Sequence, residues 1–418
     1  MKIIPSKRII VLSSVMIALF SSAVFAKPKI GACDSEGFIS PACYESDMTA
    51  LQGLLNQSKK LRIDGWVDLD AAQYTNYAPP TKLLSGAIIR AMRLNFSGIL
   101  TPKWRYSAGV GLFNDSVSMK QAYIGYLFTE NTELKIGQMK VPFNLEEMTN
   151  DKFTTFLEEA LPVSALSPEY RMGVGVFHYD TFSSHPENTY TASGGIYTDR
   201  AGQRSPDSNA GYMGVGRVTY AFVPNKRHVM IFGVGGALQR PDSNDIVSYS
   251  DLPESRVSNN TSGMLVNTGS ITSVNYVGLY NLQTAGVYGP FSAQAEYIGD
   301  KVMRQNNNPN LQFKGWYALA SWMITGESRV YNVKNGVFDG IQPAHHYGAW
   351  ELAGRVSHIN LNSQSVLGGE EDNYTGGLNW YLNYNLRFML NYIKVYSLRD
   401  GIHSNPSIYT VRAEADFP

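Results

Sequence analysis

The sequence predicts an all-β protein, a transmembrane antiparallel β-barrel of about 16 strands with an inward-folded loop. The first observation is strict alternation of side chains, because successive residues of a strand point to opposite faces. In the last run, polar residues share one face (Thr410, Arg412, Glu414, Asp416) and apolar residues share the other (Tyr409, Val411, Ala413, Ala415, Phe417). A soluble sandwich alternates in the same way. Strands of about ten residues with Trp and Tyr at their ends are instead typical of membrane barrels.

The N-terminus supplies another observation. Lys2, Lys7 and Arg8 precede the apolar run Ile9–Phe20, and Ala26 closes a site suited to cleavage. This pattern predicts a secretory signal peptide over residues 1–26. The apolar run is short for a membrane-spanning helix and no second one follows it, so we expect export to the outer membrane.

Charge and length narrow the possible functions. The chain of 418 residues has 35 basic and 35 acidic residues, and the signal peptide removes three of the basic ones. A weakly negative mature chain argues against a nucleic-acid partner and against a strongly cationic pore. The length suffices for one large barrel, so no second domain is required.

Residues 27–60 are predicted to form a periplasmic segment ahead of a barrel over residues 61–418. Cys33 and Cys43 are the only cysteines, and in an oxidising compartment they predict a local disulfide. A metal site is the weaker alternative, since two thiolates leave zinc incompletely ligated and no histidine lies nearby. Apolar residues at helical spacing over 46–58 predict a short helix.

The alternating pattern predicts sixteen strands, an even number that places both chain ends on one side of the membrane. Short connections are expected at one end of the barrel. Longer polar loops are expected at the other end, at 74–85, 144–170, 241–272 and 362–370, with 326–347 as a long exception on the periplasmic side. The strands are predicted at 62–73, 86–99, 104–114, 118–128, 133–143, 171–182, 189–199, 211–223, 228–240, 273–286, 290–304, 311–325, 348–361, 371–381, 385–397 and 407–417.

Sixteen strands leave a lumen that wall side chains do not fill, so an inward segment is expected to narrow it. The best candidate is 144–170, which carries Phe153, Phe156, Leu157 and Leu161 at helical spacing. A loop on the water surface would gain little from such an apolar face, whereas a loop packed against the inner wall would bury it.

Six short runs of the predicted barrel carry a resemblance to known proteins because they occur together in one order. The runs are Arg90-Ala-Met-Arg-Leu94, Gly137–Glu147, Gly289–Tyr297, Thr325-Gly-Glu-Ser-Arg329, Gly348-Ala-Trp-Glu-Leu352 and Gly377-Leu-Asn-Trp-Tyr381. They resemble the phosphate-selective porin O/P family over essentially the whole barrel. The resemblance implies sixteen-stranded homotrimeric outer-membrane channels, narrowed by inward-folded segments and lined by basic residues that concentrate phosphate.

This chain departs from the phosphate-specific members at the implied constriction. Trp66 stands where they have an arginine in the first strand, and Ala91 replaces one of two paired arginines. Lys120 replaces an aspartate in the fourth strand, and Glu147 replaces the lysine that opens the third external loop. Replacing a cation by a carboxylate turns attraction for phosphate into repulsion.

We therefore expect a porin for passive diffusion of small ions and polar solutes, with a mixed-charge constriction and at most a weak anion preference. A true phosphate or polyphosphate channel is the alternative, followed by a non-conducting adhesin or an outer-membrane enzyme. An enzyme is disfavoured because none of the seven histidines lies in a G-x-S-x-G setting.

The expected partners are outer-membrane lipid, two further copies of the chain and small ions or anionic solutes, with no cofactor or metal. The residues expected to line the channel are Arg62, Arg90, Arg93, Arg105, Lys120, Lys140, Glu146 and Glu147.

For Arg90 the parity argument leaves two alternatives. Arg90 and Arg93 are three residues apart in one strand, so in a regular strand they face opposite sides. Arg90 therefore either sits at a β-bulge or faces a neighbouring subunit.

Overall fold

A computed structural model describes residues 61–79, 81–113, 116–200 and 208–417. The predicted signal peptide, the cysteine pair and the short N-terminal helix lie outside these residues. Within them the chain forms a closed barrel of sixteen antiparallel strands. The strands are β1 (Arg62–Thr75), β2 (Gly86–Ile99), β3 (Trp104–Phe113), β4 (Ser116–Thr129), β5 (Thr132–Lys140), β6 (Tyr170–Phe182), β7 (His185–Thr198), β8 (Tyr212–Asn225), β9 (His228–Arg240), β10 (Val274–Tyr288), β11 (Phe291–Arg304), β12 (Leu311–Met323), β13 (Ala349–Ser363), β14 (Val366–Tyr381), β15 (Leu386–Arg399) and β16 (Ser407–Phe417).

The barrel closes where its first and last strands meet. β1 pairs antiparallel with β16, from Gly65 opposite Phe417 to Thr75 opposite Ser407. A further short strand, Ile402–Ser404, extends the last hairpin on the side of β15. This pairing confirms the predicted sixteen-stranded antiparallel barrel. Closure is favourable because it satisfies the backbone hydrogen bonds of both terminal strands.

Side chains alternate between the inside and the outside of the wall. On β12, Phe313, Tyr317 and Leu319 are buried within the barrel, whereas Trp316 and Trp322 are exposed on its outer face. Large exposed apolar side chains on the outer face suit contact with lipid, because lipid rather than water surrounds a membrane barrel.

Aromatic side chains gather on the outer face at the end of the barrel where the short turns lie. Trp350 stacks on Trp380 with ring centroids 5.3 Å apart, and Trp380 stacks on Phe388 at 5.5 Å. Phe291 and Trp322 stack at 6.1 Å on the adjoining strands β11 and β12. Such a girdle is typical of the boundary between membrane and water.

The two ends of the barrel differ as predicted, with one exception. Most turns at the end of the barrel where β1 begins and β16 ends are short, and the longest loops are at the opposite end. The predicted loop at 362–370 is wrong, because β13 and β14 continue to a tight turn in which Ser363 pairs with Val366. Polar residues such as Glu370 misled the prediction, since strand ends that extend beyond the lipid carry polar side chains.

The segment between β5 and β6 folds into the lumen, which confirms the predicted inward loop. It contains helix α1 (Leu145–Met148), a 3₁₀ turn (Asp151–Phe153) and helix α2 (Leu161–Leu166). Phe156 and Leu157 are buried but lie outside these helices, so the helical spacing predicted across them is wrong. Phe156 and Leu157 are apolar because they are buried against the wall, not because they form one face of a helix.

The long segment between β12 and β13 also enters the lumen. It forms a small hairpin of Val330–Asn332 with Val337–Asp339. Arg217 of β8, 1 % exposed, donates Nη2 to the backbone oxygen of Gly336 at 2.7 Å. The hairpin residues Val337 and Phe338 pack in one apolar cluster with Leu145 of the inward loop.

The loop between β9 and β10 supplies a third inward segment. Glu254 of this loop accepts a hydrogen bond from Arg355 Nη2 at 2.7 Å and one from the backbone nitrogen of Leu161 at 3.1 Å. The segments between β5 and β6 and between β9 and β10 pack against the inner wall of β10 to β14 through an apolar cluster that includes Phe313 and Ile359. No helix in the part of the chain that the structure describes is long and apolar enough to cross a membrane.

Candidate functional site

Three arginines of the wall hold the inward loop in place. Each of the three donates Nη1 to a backbone oxygen of the stretch between helices α1 and α2. The pairs are Arg355 to Glu158 at 2.9 Å, Arg387 to Thr154 at 2.7 Å and Arg412 to Leu157 at 2.7 Å. Because these carbonyls have no partners within a helix, the guanidinium groups satisfy them in a buried setting.

The side chain of Glu158 is the most heavily paired carboxylate of the loop. Arg90 binds it through Nε at 2.6 Å and Nη2 at 2.7 Å, and Arg412 donates Nη2 at 2.9 Å. Arg256, from the loop between β9 and β10, lies 3.7 Å away. Burial alone would raise the pKa of Glu158, but the three guanidinium groups hold it at about 2.

A β-bulge brings Arg90 into this cluster. The pairing of β1 with β2 slips by one residue between Asp68 and Leu69, and Arg90 is the extra residue on β2. The slip lets Arg90 reach Glu158 inside the barrel, although Arg93 also faces inward three residues later. Of the two alternatives that parity allowed, the structure contains the bulge.

A second bulge places Lys120 on the inner face. Between β3 and β4 the register shifts so that both Lys120 and Gln121 lie opposite Gly109. Gln138 of β5 donates Nε2 to the backbone oxygens of Met119 and Lys120, at 2.7 Å each. These two bonds satisfy carbonyls that the bulge leaves out of the regular ladder.

Lys120 belongs to a group of three cations around one aromatic ring. The side-chain charges of Arg93, Lys120 and Lys140 lie 5.9, 5.8 and 5.7 Å from the centroid of Tyr170. Asp151 of the inward loop pairs with Arg93 and accepts from Lys140 Nζ at 3.0 Å. Burial alone would raise the pKa of Asp151, but Arg93 and Lys140 hold it well below its ordinary value.

Glu146 and Glu147 are both buried, and Glu147 also lines a cavity of the lumen. Glu147, 5 % exposed, lies with Oε1 3.5 Å from Lys140 Nζ. Glu146 accepts from the backbone nitrogen of Ala160 at 3.1 Å and lies 3.6 Å from Arg355. Burial raises the pKa of both carboxyl groups, with that of Glu146 at about 7.

Two cavities lie along the charged side of the lumen, next to the wall formed by the first six strands. One of about 740 Å³ reaches the loop end of the barrel and is lined there by Phe113 and Ser116. The other, of about 350 Å³, reaches the hairpin at the turn end and is lined there by Asn332. The two cavities share Arg93, Lys140, Asp151 and Tyr170. These shared residues lie between the two ends of the barrel, where the cavities adjoin, and are the candidate constriction.

Two of the predicted residues lie away from this constriction. Arg62 begins β1 with a side chain that is 68 % exposed and 3.5 Å from Asp64. Arg105 is exposed as the second residue of β3. Both belong to the turn end of the barrel, so they are not brought together with Arg93, Lys120 and Lys140.

Sequence reasoning missed Asp151, Glu158, Arg256 and Tyr170. Asp151 and Glu158 are charged residues of the segment expected to fold inward, and a charged side chain carried into a lumen needs a partner there. That requirement was a usable signal. Arg256 and Tyr170 gave none, because their neighbours come from distant parts of the chain. Among the residues that the structure describes, no group of His, Cys, Asp or Glu is arranged to hold a metal ion.

Comparison with known proteins decides the family. The profile of the family described as phosphate-selective porin O and P matches residues 61–417. The chain belongs to this family. The predicted resemblance is therefore confirmed, and family and fold together make the protein a porin channel of the outer membrane.

The relatives and solved structures that resemble the chain are distant from it in sequence. Porin O of Pseudomonas aeruginosa is 22 % identical over 366 residues, which cover 80 % of this porin and 82 % of the relative. OmpT, an outer-membrane protein of Vibrio cholerae, has a TM-score of 0.52 at 7 % identity and covers 85 % of this chain and 97 % of its own. Its trimer form gives 0.50 at 9 % identity, over 86 % and 99 %. OprB of Pseudomonas putida gives 0.51 at 10 % identity, over 89 % and 97 %. At these identities the solved structures show a shared fold alone.

Proposed function

We propose that this porin lets small ions and polar solutes diffuse passively through a mixed-charge constriction with at most a weak preference for anions. The observation that carries the proposal is charge pairing along the passage. Arg93 and Lys140 share Asp151, Lys140 also faces Glu147, and Arg90 is bound by Glu158. Opposite charges at close range cancel much of each other's field.

The same pairing disfavours strong selectivity for phosphate. A phosphate dianion is held by several charge-assisted hydrogen bonds from cations that have no other anionic partner. In this porin the guanidinium of Arg93 is already paired with Asp151 and lies 4.8 Å from the ring of Trp66. Trp66 stands where the family resemblance implies an arginine, so a donor is replaced by an apolar ring.

Assembly and export form the second part of the proposal. Residues 1–26 act as the signal peptide, residues 27–60 form a periplasmic segment closed by a Cys33–Cys43 disulfide, and the barrel assembles as a homotrimer in outer-membrane lipid. The trimer form of the Vibrio cholerae protein, which shares the fold, supports the homotrimer. Membership in a family of channels supports transport over catalysis.

Planar-bilayer recording of the purified oligomer tests the function. We expect stepwise conductance in KCl, a reversal potential in a salt gradient that lies close to zero on the anion side, and weak block of chloride current by inorganic phosphate. Block at micromolar phosphate would show instead that this porin is phosphate-selective. Absence of any conductance would support a non-conducting barrel.

A further inference from the structure

We propose that Lys120 sets the charge preference of the passage by drawing small inorganic anions to the constriction. The inference deepens the proposed function and rests on it. Its starting point is the pairing of the charged side chains around Tyr170. Three cations, Arg93, Lys120 and Lys140, surround this ring.

Carboxylates pair with two of these three cations. Asp151 pairs with both Arg93 and Lys140, Glu147 lies beside Lys140, and Glu159 is close enough to act on Lys140 as well. Within the described residues, no carboxylate lies within ion-pair distance of Lys120. Lys120 is therefore the cation of this group whose charge no ion pair cancels.

The position of Lys120 makes that charge accessible to a passing ion. Lys120 lines the larger cavity together with Arg93 and Tyr170, next to the residues that this cavity shares with the smaller one. Gly111 of β3 leaves room for it, since a Cβ at this position would lie 3.2 Å from Lys120 Cε. An anion that enters from the loop end meets an ammonium whose hydrogen-bonding capacity is not taken up by a carboxylate.

The wall also fixes Lys120 in place. The bulge on β4 turns this residue inward, and Gln138 holds the bulge through its two bonds to Met119 and Lys120. A charge on a rigid strand acts from a fixed distance, whereas a charge on a mobile loop would average its field over many positions. The preference is thus built into the barrel and not into the inward loop.

The experiment measures the chloride-to-potassium permeability ratio from reversal potentials in a KCl gradient. A unit charge acting across about 6 Å, at an effective dielectric constant of about 20 and with salt screening, changes local ion concentration about fivefold to tenfold. We expect Lys120→Gln to lower the ratio by at least that factor, so that the channel prefers potassium, and Lys120→Glu to strengthen this preference. Lys120→Arg should keep the wild-type ratio.

Lys301→Gln is the matched control. Lys301 is exposed on β11 with the outward parity of Tyr297, so its replacement removes the same charge without altering the lumen. The control should leave the ratio unchanged. Equal ratios in wild type, Lys120→Gln and Lys120→Glu would overturn the role of Lys120 while conduction still stood.

Loss of conduction in the wild type would overturn the proposed function itself, which is a different outcome. Should Lys120→Glu fail to assemble, Lys120→Gln against Lys120→Arg makes the same comparison. Equal ratios in those two variants would also overturn the proposal. An unboiled, fast-migrating oligomer on gels identifies the variants that have assembled.

Discussion

Replacing Glu158 by glutamine tests how the inward loop is held in the lumen. The carboxylate binds Arg90 in two hydrogen bonds and also accepts from Arg412. In the variant, Arg412 keeps Asp70 and Arg256 keeps Asp251, but Arg90 loses its only carboxylate partner among the described residues. The loop side of the contact is weakened while the wall stays intact.

Two estimates of the magnitude agree. The pKa of Glu158 is lowered from 4.5 to about 2 in the folded protein, and a shift of that size corresponds to about 3 kcal/mol. Removing one partner of a buried ion pair costs about 3–5 kcal/mol. A loss of about 3 kcal/mol raises the population with a detached loop roughly a hundredfold.

Single-channel recording reads this population directly, because a detached loop widens the passage and adds a higher conductance level. We expect Glu158→Gln to visit that level far more often than wild type at neutral pH. Wild type should develop the same level in acid. The stabilisation from Glu158 is complete above pH 4.5, the ordinary pKa of this group, and is lost as the pH falls through about 2.

Glu130→Gln serves as the control, since Glu130 is an exposed carboxylate in the turn between β4 and β5. It should match wild type in every recording. The reasoning is refuted if Glu158→Gln shows the wild-type conductance levels and dwell times at neutral pH. If the wild type gains no higher conductance level in acid, the loop is anchored instead by the backbone contacts of Arg355, Arg387 and Arg412.

Three further outcomes are expected. Glu147→Lys removes the carboxylate beside Lys140 and adds a cation. Block of the chloride current by phosphate should therefore strengthen. Unchanged block would mean that position 147 does not influence the passage. Changing both Cys33 and Cys43 to serine should leave conductance and oligomer intact, because a short loop ahead of the first strand constrains little of the unfolded barrel; loss of either property would give residues 27–60 a larger role. The protein should show heat-modifiable migration with an unboiled oligomer, and recovery as a soluble periplasmic monomer would contradict the membrane barrel.

Strand positions were predictable because a membrane wall imposes a simple rule. Each residue faces either lipid or lumen, so period-two alternation persists along every strand and marks its extent. β2, β9 and β16 have the predicted bounds. The rule fails at the hairpin of β13 and β14, where strands extend beyond the lipid and both faces become polar, as at Glu370 and Glu371.

The constriction was less predictable because bulges break the alternation. Arg90 and Arg93 share the lumen only through a slip in register, and Lys120 faces inward only because Gly109 stands opposite two residues. Parity therefore left two alternatives open for Arg90, one of which was the bulge, and it did not predict the bulge beside Lys120. The carboxylates that neutralise them, Asp151 and Glu158, come from a segment whose local sequence does not specify where it docks.

The arrangement of the lumen supports the proposal that few residues control the passage. Inward segments pack with apolar side chains such as Phe156 and Leu161 against the wall of β10 to β14. The two cavities on the charged side lie along β1 to β6 and share Arg93, Lys140 and Asp151. Because each cation paired with a carboxylate contributes little field at a distance, a single unpaired ammonium outweighs several ion pairs. Family members with a similar barrel can therefore differ in ion preference through changes at one or two wall positions, without any change in the fold that supports them.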